Sequence, residues 1–303
     1  MRNLFYLILL ITVTSTYLYS QCGCVGGAAV GGLTPIGGTA NVGLLREDYF
    51  RASLFYSYSY GDKFFRGDAR AEKDIVEHYE TQFSSLMLGY GFTEDITLET
   101  EIGYFPRKLQ DFGSNNAEGS GLSHLSVIGK YNLFSSIVKE IEFTMGLGAR
   151  LPLELKQENL PQHVRPSTGA YGIIFQAFFH LGNKKADMHF FVINRSEYNF
   201  ENKSEYQYGP TVNTSLYYTK GILKNLTGII ELRNEYRLKD KINGEEHKDS
   251  GGLFFHVAPQ INYTLGQFNV SALFDYPIYQ YYNGYQLGNN YTIGLNFTWM
   301  TRL

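Results

Sequence analysis

The sequence has little cysteine, proline or charge. Only 2 of its 303 residues are Cys and 8 are Pro, and charged residues make up 18% of the chain, below the globular norm of about a quarter. Two cysteines cannot form a disulfide framework. A formal net charge of −3 gives no reason to expect a nucleic-acid partner.

Aromatic and small residues are abundant instead. The chain has 25 Tyr, 22 Phe and 32 Gly, and 16% of its residues are aromatic. So many aromatic side chains need burial, which excludes a disordered chain. The helices of a soluble α/β enzyme would require more Ala, Leu, Glu and Lys. The composition therefore favours a single repetitive architecture.

Residues 1–21 are predicted to be an export signal. Arg2 provides a positive start, residues 4–13 are apolar but too short to span a bilayer, and residues 14–21 form a polar exit. No later segment approaches the 18 or so consecutive apolar residues of a membrane helix. The chain is therefore expected to leave the cytoplasm without a helical anchor.

Residues 22–45 are rich in glycine and uncharged. Two interpretations stay open: a flexible periplasmic lead, or a plug that folds into a barrel, where small uncharged residues pack without leaving charges unpaired. Cys22 and Cys24 are too close for an easy disulfide. No His lies nearby to complete a metal site, so no metal is predicted here.

From residue 46 onwards, apolar and polar residues alternate. In residues 141–151 the odd positions are apolar, while Glu142, Gly148 and Arg150 are among the residues between them. A period of two places the two sets on opposite faces of a strand. The pattern predicts about twelve strands, at residues 49–60, 81–92, 95–105, 121–134, 139–151, 168–181, 186–199, 205–219, 226–239, 251–265, 267–280 and 290–301.

The predicted connections alternate between short and long. Residues 93–94 and Gly266 are short turns, whereas residues 106–120 and 281–289 are longer and polar. Short turns on one side, long loops on the other and an even strand count are typical of an outer-membrane barrel. We therefore predict an all-β fold, an antiparallel up-and-down transmembrane β-barrel of residues 46–303. A β-sandwich is disfavoured because its strands usually have only about 5–6 residues.

Three prolines conflict with this pattern. Pro210, Pro259 and Pro277 lie inside predicted strands, where a closed barrel needs every backbone N–H for its ladders. Because Pro259 lies near mid-strand, it indicates a bulge or an error in the predicted strand boundary.

The last predicted strand carries a motif. Residues 292–299 resemble the β-signal of bacterial outer-membrane proteins, in which a polar residue, a glycine and two aromatic residues recur at fixed spacing. The matching residues are Thr292, Gly294, Phe297 and Trp299. The resemblance implies that the barrel-assembly machinery reads this strand. The chain departs from the motif because residues 300–303 follow the last aromatic residue.

The mature chain as a whole resembles the twelve-stranded, transporter-like outer-membrane proteins of Gram-negative bacteria. Within them it is most similar in outline to the group named for phenol meta-pathway degradation. This resemblance implies that a small solute passes through the protein across the outer membrane, with outer-membrane lipids as surroundings. No motif identifies the solute. The alternatives are a closed structural or surface-binding barrel and, with less support, an outer-membrane lipid hydrolase.

The polar phase of the alternation is predicted to line the lumen. Charges at membrane depth need water or an opposite charge. Two interpretations stay open: the charges border a water-filled constriction and set its selectivity, or they form a salt-bridge lattice that fills the lumen. The predicted lumen-lining charges are Arg51, Glu99, Glu101, Lys130, Glu142, Arg150, Glu231, Arg233, Glu235 and Arg237. The same phase places inside His124, His180, Gln176, His256, Gln260, Asn262 and Asp275, with the small residues Gly146, Gly148, Gly172, Ser53, Ser57 and Ser271.

An enzyme is not predicted. Outer-membrane phospholipases of this barrel type place Ser and His on the lipid-facing wall, whereas His124 and Ser126 fall on the inward phase. Only His189, in a stretch whose residues 190–193 are apolar on both faces, is a candidate for the outer wall. No phosphate loop, nucleophile elbow or zinc-binding pair occurs in the sequence, so we predict no cofactor.

Overall fold

The alternating sequence forms twelve long antiparallel β-strands. The structure is a computed structural model that describes residues 43–72, 76–136, 140–153, 160–183 and 185–303. In chain order the long strands are β1 (Tyr49–Gly61), β2 (His78–Gly91), β3 (Ile96–Asp111), β4 (Asn116–Ser136), β5 (Ile141–Pro152), β6 (Gly172–Asn183), β7 (Met188–Asn199), β8 (Thr211–Leu223), β9 (Leu226–Arg237), β10 (Gly252–Leu265), β11 (Phe268–Gly288) and β12 (Tyr291–Arg302).

The predicted export signal, residues 1–21, lies outside the described residues. So does the glycine-rich segment 22–45 apart from its last three residues. The remaining predictions fall on residues 46–303, of which the structure describes all but 73–75, 137–139, 154–159 and 184.

The sheet closes on itself into a barrel. β1 pairs with β2 on one side and with β12 on the other, so that Leu54 lies opposite both Leu86 and Phe297. Every other long strand pairs with the strands before and after it in the chain. None of the twelve strands is therefore left as an open edge, which is what a barrel in lipid requires. The predicted fold class and strand number are confirmed.

The outer face of the barrel is an apolar belt. Leu54, Leu147 and Ile293 all point outward and are about half exposed or more, whereas Ser53 and Ser57 on the other face of β1 are buried. Such a belt over a polar inner face is typical of a lipid-facing barrel. Helices do not contribute to it: the described residues contain one short 3₁₀ turn, Gln162–Val164, and no helix long and apolar enough to cross a membrane.

The two ends of the barrel differ, and we name them the turn side and the loop side. On the turn side, residues 92–95, 224–225 and 266–267 are tight connections. On the loop side the belt ends at Arg107, which lies on the outer face 3.3 Å from Glu80 and 3.3 Å from Glu118. The part of β3 after Pro106 therefore projects beyond the belt.

Several predicted loops on that side are strands, so those predictions were wrong. β3 and β4 continue as a hairpin through most of residues 106–120, after a register shift between Phe105 and Lys108. β11 continues to Gly288, where the short strand Lys63–Gly67 pairs with it. Backbone hydrogen bonding needs only a neighbouring strand, so it continues beyond the end of the apolar belt. Hydropathy alone does not reveal where the strands end.

The prolines also differ from expectation. Pro259 lies opposite Ile230 with no register shift in the β9–β10 ladder. The irregularity occurs instead at Phe255 and His256, beside Pro277 of β11. Pro210 lies outside the strands, just before β8. The prediction of a bulge or a boundary error at Pro259 was therefore wrong. Pro259 lies on the outer face of β10, and its only effect on the ladder is the loss of one backbone N–H donor.

Candidate functional site: the barrel lumen

The ten predicted lumen-lining charges all lie on the inner face of the barrel. Apart from Arg51 and Lys130, which are partly buried, their exposed fractions run from 0 to 8%. A buried charge is costly unless it is paired or hydrogen-bonded. Their partners therefore decide what the lumen can do. That these residues border a solute path stays a prediction.

One acidic residue near the turn side is held between two cations. Lys130 Nζ lies 2.8 Å from Glu99 Oε2, and the guanidinium of Arg51 contacts the other oxygen of the same carboxylate. The three residues come from β1, β3 and β4, whose inward positions are adjacent because the strands pair directly or through one neighbour. The arrangement anchors Glu99 to the wall.

A second group of charges is only loosely connected. We define the loose cluster as Glu101, His124, Arg150, Arg195 and Glu197. Arg150 Nη1 lies 2.7 Å from Glu197 Oε1, but Arg195 is 3.8 Å from Glu101 and 3.9 Å from Glu197, and His124 Nε2 is 3.9 Å from Glu101. Separations near 4 Å are too long for hydrogen bonds.

Many polar atoms of the loose cluster therefore lack a hydrogen-bond partner in the described part of the chain. Both carboxylate oxygens of Glu101, Oε2 of Glu197, and the Nε and Nη2 atoms of Arg150 and Arg195 are buried without one. His124 Nε2 is in the same state. Buried donors and acceptors are normally satisfied by protein or water. This wall of the lumen consequently offers hydrogen-bonding sites to water or to a polar solute.

A third group of polar side chains forms a compact network on β9, β10 and β11. We define the tight cluster as Glu231, Arg233, His256 and Asp275. Arg233 contacts Asp275 and lies 3.3 Å from Glu231, while His256 Nδ1 is 2.7 Å from Asp275 Oδ1. Ser215 and Gln260 donate to the two oxygens of Glu231 at 2.8 and 3.0 Å. Both carboxylates are thus fully engaged.

Sequence reasoning missed two members of the loose cluster, Arg195 and Glu197. They lie on the inner face of β7 at alternate positions, but the apolar stretch just before them hides the phase of the alternation. The same stretch misled the interpretation of His189. That residue faces inward, with Nδ1 3.0 Å from Nε2 of His180, so it is not a candidate for the outer wall.

The inner face also carries apolar side chains, which a polarity rule does not predict. Phe55, Phe83, Phe105 and Leu273 form one buried cluster. A second cluster consists of Phe178, Phe191, Tyr217 and Ile229. The alternation rule assigns polar residues to the inner face and apolar residues to the outer face. It therefore does not predict an aromatic residue at an inward position. The lumen is therefore polar in patches rather than throughout.

Residues 43–45 lie across the turn-side opening, and we name them the strap. The backbone N–H of Leu45 donates to Thr97 Oγ1 of β3 at 2.9 Å, and that hydroxyl donates back to the Leu45 carbonyl at 3.3 Å. A Cβ on Gly43 would lie only 2.3 Å from Phe178 of β6 and 2.4 Å from Glu142 of β5. The strap thus contacts β3 through Leu45 and lies against β5 and β6 through Gly43.

Loops cover the opposite mouth. Asp240 is fully buried there and accepts hydrogen bonds from the Gly209 N–H at 2.7 Å, from Arg237 at 3.2 Å and from the Tyr206 hydroxyl. Burial and the adjacent carboxylate raise the pKa of Tyr206, which therefore remains a neutral donor. These bonds fix the loops before β8 and after β9 over the barrel.

The residues of the assembly motif divide between the two faces of β12. Thr292 and Gly294 point inward and are buried. Phe297 is exposed and stacks on Phe268 with ring centres 5.5 Å apart, and Trp299 donates from Nε1 to Gln267 at 3.2 Å. Their reading by an assembly machinery stays a prediction. Among the described residues, no group of three or more His, Cys, Asp and Glu side chains is arranged to hold a metal ion.

Comparison with solved structures gives the same class of fold. An outer-membrane channel from Pseudomonas putida F1 superposes with a TM-score of 0.72 at 11% identity, covering 85% of this chain and 97% of that one. The NanC porin matches with a TM-score of 0.50 at 10% identity over 82% of this chain and 98% of that one. The β domain of the Bordetella autotransporter BrkA matches with a TM-score of 0.50 at 9% identity, over 84% and 99% of the two chains.

The sequence itself matches no protein-family model and no curated protein. At identities this low, the structural likeness establishes the fold and not the activity. The chain is thus a closed twelve-stranded antiparallel β-barrel of the kind found in outer-membrane proteins.

Proposed function

We propose that the protein is a narrow, non-enzymatic channel through which a small polar solute crosses the outer membrane of a Gram-negative bacterium. The observation that carries the proposal is the loose cluster: a closed, lipid-compatible barrel whose inner wall holds charged side chains with several polar atoms that have no hydrogen-bond partner among the described residues. Such groups need water or a polar solute. A barrel with a purely structural role does not require such groups in its lumen.

The contrast with the tight cluster indicates where the path runs. Glu231 and Asp275 are fully engaged by Arg233, His256, Ser215 and Gln260, so these two carboxylates offer little to a passing solute, and in this group only Arg233 Nε and Gln260 Oε1 are buried without a partner in the described chain. The wall formed by β3, β4, β5 and β7 offers both donors and acceptors. The solute therefore travels along the loose cluster, and selectivity is set by Glu101, Arg150, Arg195 and Glu197.

The other parts of the proposal follow from the fold and the sequence motif. Outer-membrane lipids surround the belt, and the barrel-assembly machinery inserts the chain through β12. The likeness to the P. putida channel and to the NanC porin supports transport rather than catalysis. Membership in the group named for phenol meta-pathway degradation is retained as the finer proposal.

Solute flux into liposomes tests the proposed function. Purified full-length protein is refolded into vesicles, and swelling is followed in a graded series of uncharged sugars and amino acids. We expect the smallest polar solutes to enter and the rate to fall steeply with size. A correctly folded barrel that admits none of them would instead be a closed structural or surface-binding barrel.

A further inference from the structure

Lys108 is a buried lysine whose contacts in the described part of the chain are all neutral. It lies on the inner face of β3 beyond the apolar belt, is 4% exposed, and donates from Nζ to the carbonyl oxygen of Arg165 at 2.9 Å. Its ammonium also lies 5.0 Å from the ring centre of Phe105. Within the described chain, it has no ion pair with Asp or Glu. Neutral contacts of this kind compensate a buried charge only in part.

Two further polar groups near it have no hydrogen-bond partner among the described residues. Gln110, the next inward residue of β3, is 2% exposed, and neither its amide nitrogen nor its amide oxygen has a hydrogen bond within the described chain. His163 Nε2 is likewise buried and unsatisfied. Each such group costs free energy unless a partner is supplied.

The loop of residues 160–170 brings these groups together. Its Arg165 carbonyl holds Lys108, and its His163 ring meets Phe112 edge-on with centres 6.4 Å apart. Lys108 and Phe112 lie two positions before and two positions after Gln110, so the loop contacts residues on both sides of Gln110. The loop backbone can approach this closely because Gly119 has no side chain: a Cβ there would be 2.1 Å from the Val164 carbonyl oxygen.

The surroundings are positive. Arg237 of β9 acts on Lys108 from across the mouth, and together with burial it lowers the pKa of Lys108 to about 7. Burial and Lys108 lower the pKa of His163 to about 4. Arg237 is paired with Asp240, and the residues opposite Lys108 on β2 and β4 are the uncharged Thr81 and Gly119. No acidic side chain of the described residues therefore competes for the Lys108 ammonium.

We propose that Lys108, Gln110 and His163 form a binding site for the oxyanion group of a small solute, a carboxylate or a phosphate, at the loop-side mouth of the barrel. The oxyanion accepts hydrogen bonds from the ammonium and the Gln110 amide, and replaces the missing counter-charge. Because all three groups are covered, residues 160–170 move aside to admit it. The inference rests on the proposed function, since this mouth leads into the lumen.

The test measures binding of acetate and of inorganic phosphate to detergent-solubilised full-length protein by titration calorimetry at pH 6. We expect saturable binding of at least one of the two, lost in Lys108→Met and weakened in Gln110→Leu. The matched control is Lys239→Met, since Lys239 is exposed on the same side and pairs with Glu246; this variant is expected to bind as the native protein does. Which probe binds distinguishes a carboxylate from a phosphate solute.

The dependence on pH adds an independent readout. An oxyanion pairs with the protonated amine, so affinity is expected to weaken as pH rises above 7, by about tenfold for each unit. Absence of saturable binding of both probes, or unchanged binding in Lys108→Met, overturns the site. Liposome flux separates this from the proposed function: flux without binding removes the site alone, and binding without flux removes the channel.

Discussion

Arg195 of β7 lies 3.8 Å from Glu101 of β3, measured from Nη1 to Oε2, although three strands separate β3 from β7 around the barrel. The two side chains meet over the lumen instead of along the wall. They are close enough to attract each other and too far apart to hydrogen-bond. A solute or a water molecule can therefore exchange with this contact at a smaller cost than with the compact pair of Arg233 and Asp275.

Replacement of Arg195 by alanine should widen the solute path and make the charge along its wall more negative. In Arg195→Ala, the contact with Glu101 is lost, and Glu101 and Glu197 remain as the negative groups nearest to it. We expect a higher conductance and a shift toward cation selectivity. The reversal potential in a KCl gradient across a planar bilayer measures this shift. An unchanged reversal potential, with the variant correctly folded, would place the path elsewhere.

Replacement of Arg233 by alanine should mainly reduce stability. The variant leaves Asp275 and Glu231 buried without their cation, and breaking a buried ion pair from one side costs about 3–5 kcal/mol. Urea unfolding of the refolded barrel measures the change in the free energy of unfolding. Arg107→Ala is the control, because Arg107 pairs with Glu80 and Glu118 on the exposed outer face, where such pairs contribute about 0–1 kcal/mol. Equal losses in both variants would contradict the assignment of a buried network.

Arg195 and Arg233 also show how much of the candidate site can be predicted from the sequence. Glu231 and Arg233 are predicted correctly as inward because β9 alternates without interruption. Arg195 is missed because residues 190–193 are apolar on both faces. The difference between a loose and a tight contact is beyond the sequence altogether, since Arg195 and Glu101 are 94 positions apart in the chain and meet only through barrel closure.

Other failures have different physical causes. Lys108 is not among the predicted lumen residues because residues 106–120 are predicted to be a loop, whereas β3 continues to Asp111 after Pro106 and a register shift. Phe55 and Phe83 point inward although the rule reserves that face for polar residues. Strand pairing, bulges and the packing of aromatic rings inside the barrel depend on neighbours that a single-strand pattern does not contain. Fold class and strand number, in contrast, follow from repetition of one pattern and are recovered almost completely.

Substitution of Gly43 should disturb the packing of the strap. The Cβ of Gly43→Ala would collide with the side chains of Phe178 and Glu142, so either these side chains or the strap has to shift. We expect higher single-channel conductance than in the native protein. Gly129→Ala is the control, since the nearest atom to its new Cβ is 4.0 Å away. Identical conductance in the two variants would show that the strap does not narrow the path.

Loss of Phe297 should impair assembly and leave the folded barrel intact. The side chain lies on the exposed outer face and stacks on Phe268, so Phe297→Ala is expected to reduce the amount of folded protein in the membranes of expressing cells but to refold normally in detergent. Phe274→Ala provides the control, because Phe274 is equally exposed and stacks on Tyr291 but lies outside the motif. Mobility on unheated gels reports the folded fraction. Equal yields of both variants would remove the assembly role of Phe297.

Single-channel recording of the purified native barrel in a planar bilayer tests the central claim most directly. The arrangement of the loose cluster predicts small, discrete current steps that disappear when the sample is heat-denatured before addition. A barrel shown to be folded by circular dichroism and gel mobility, yet electrically silent at every voltage, would contradict a solute path through this lumen.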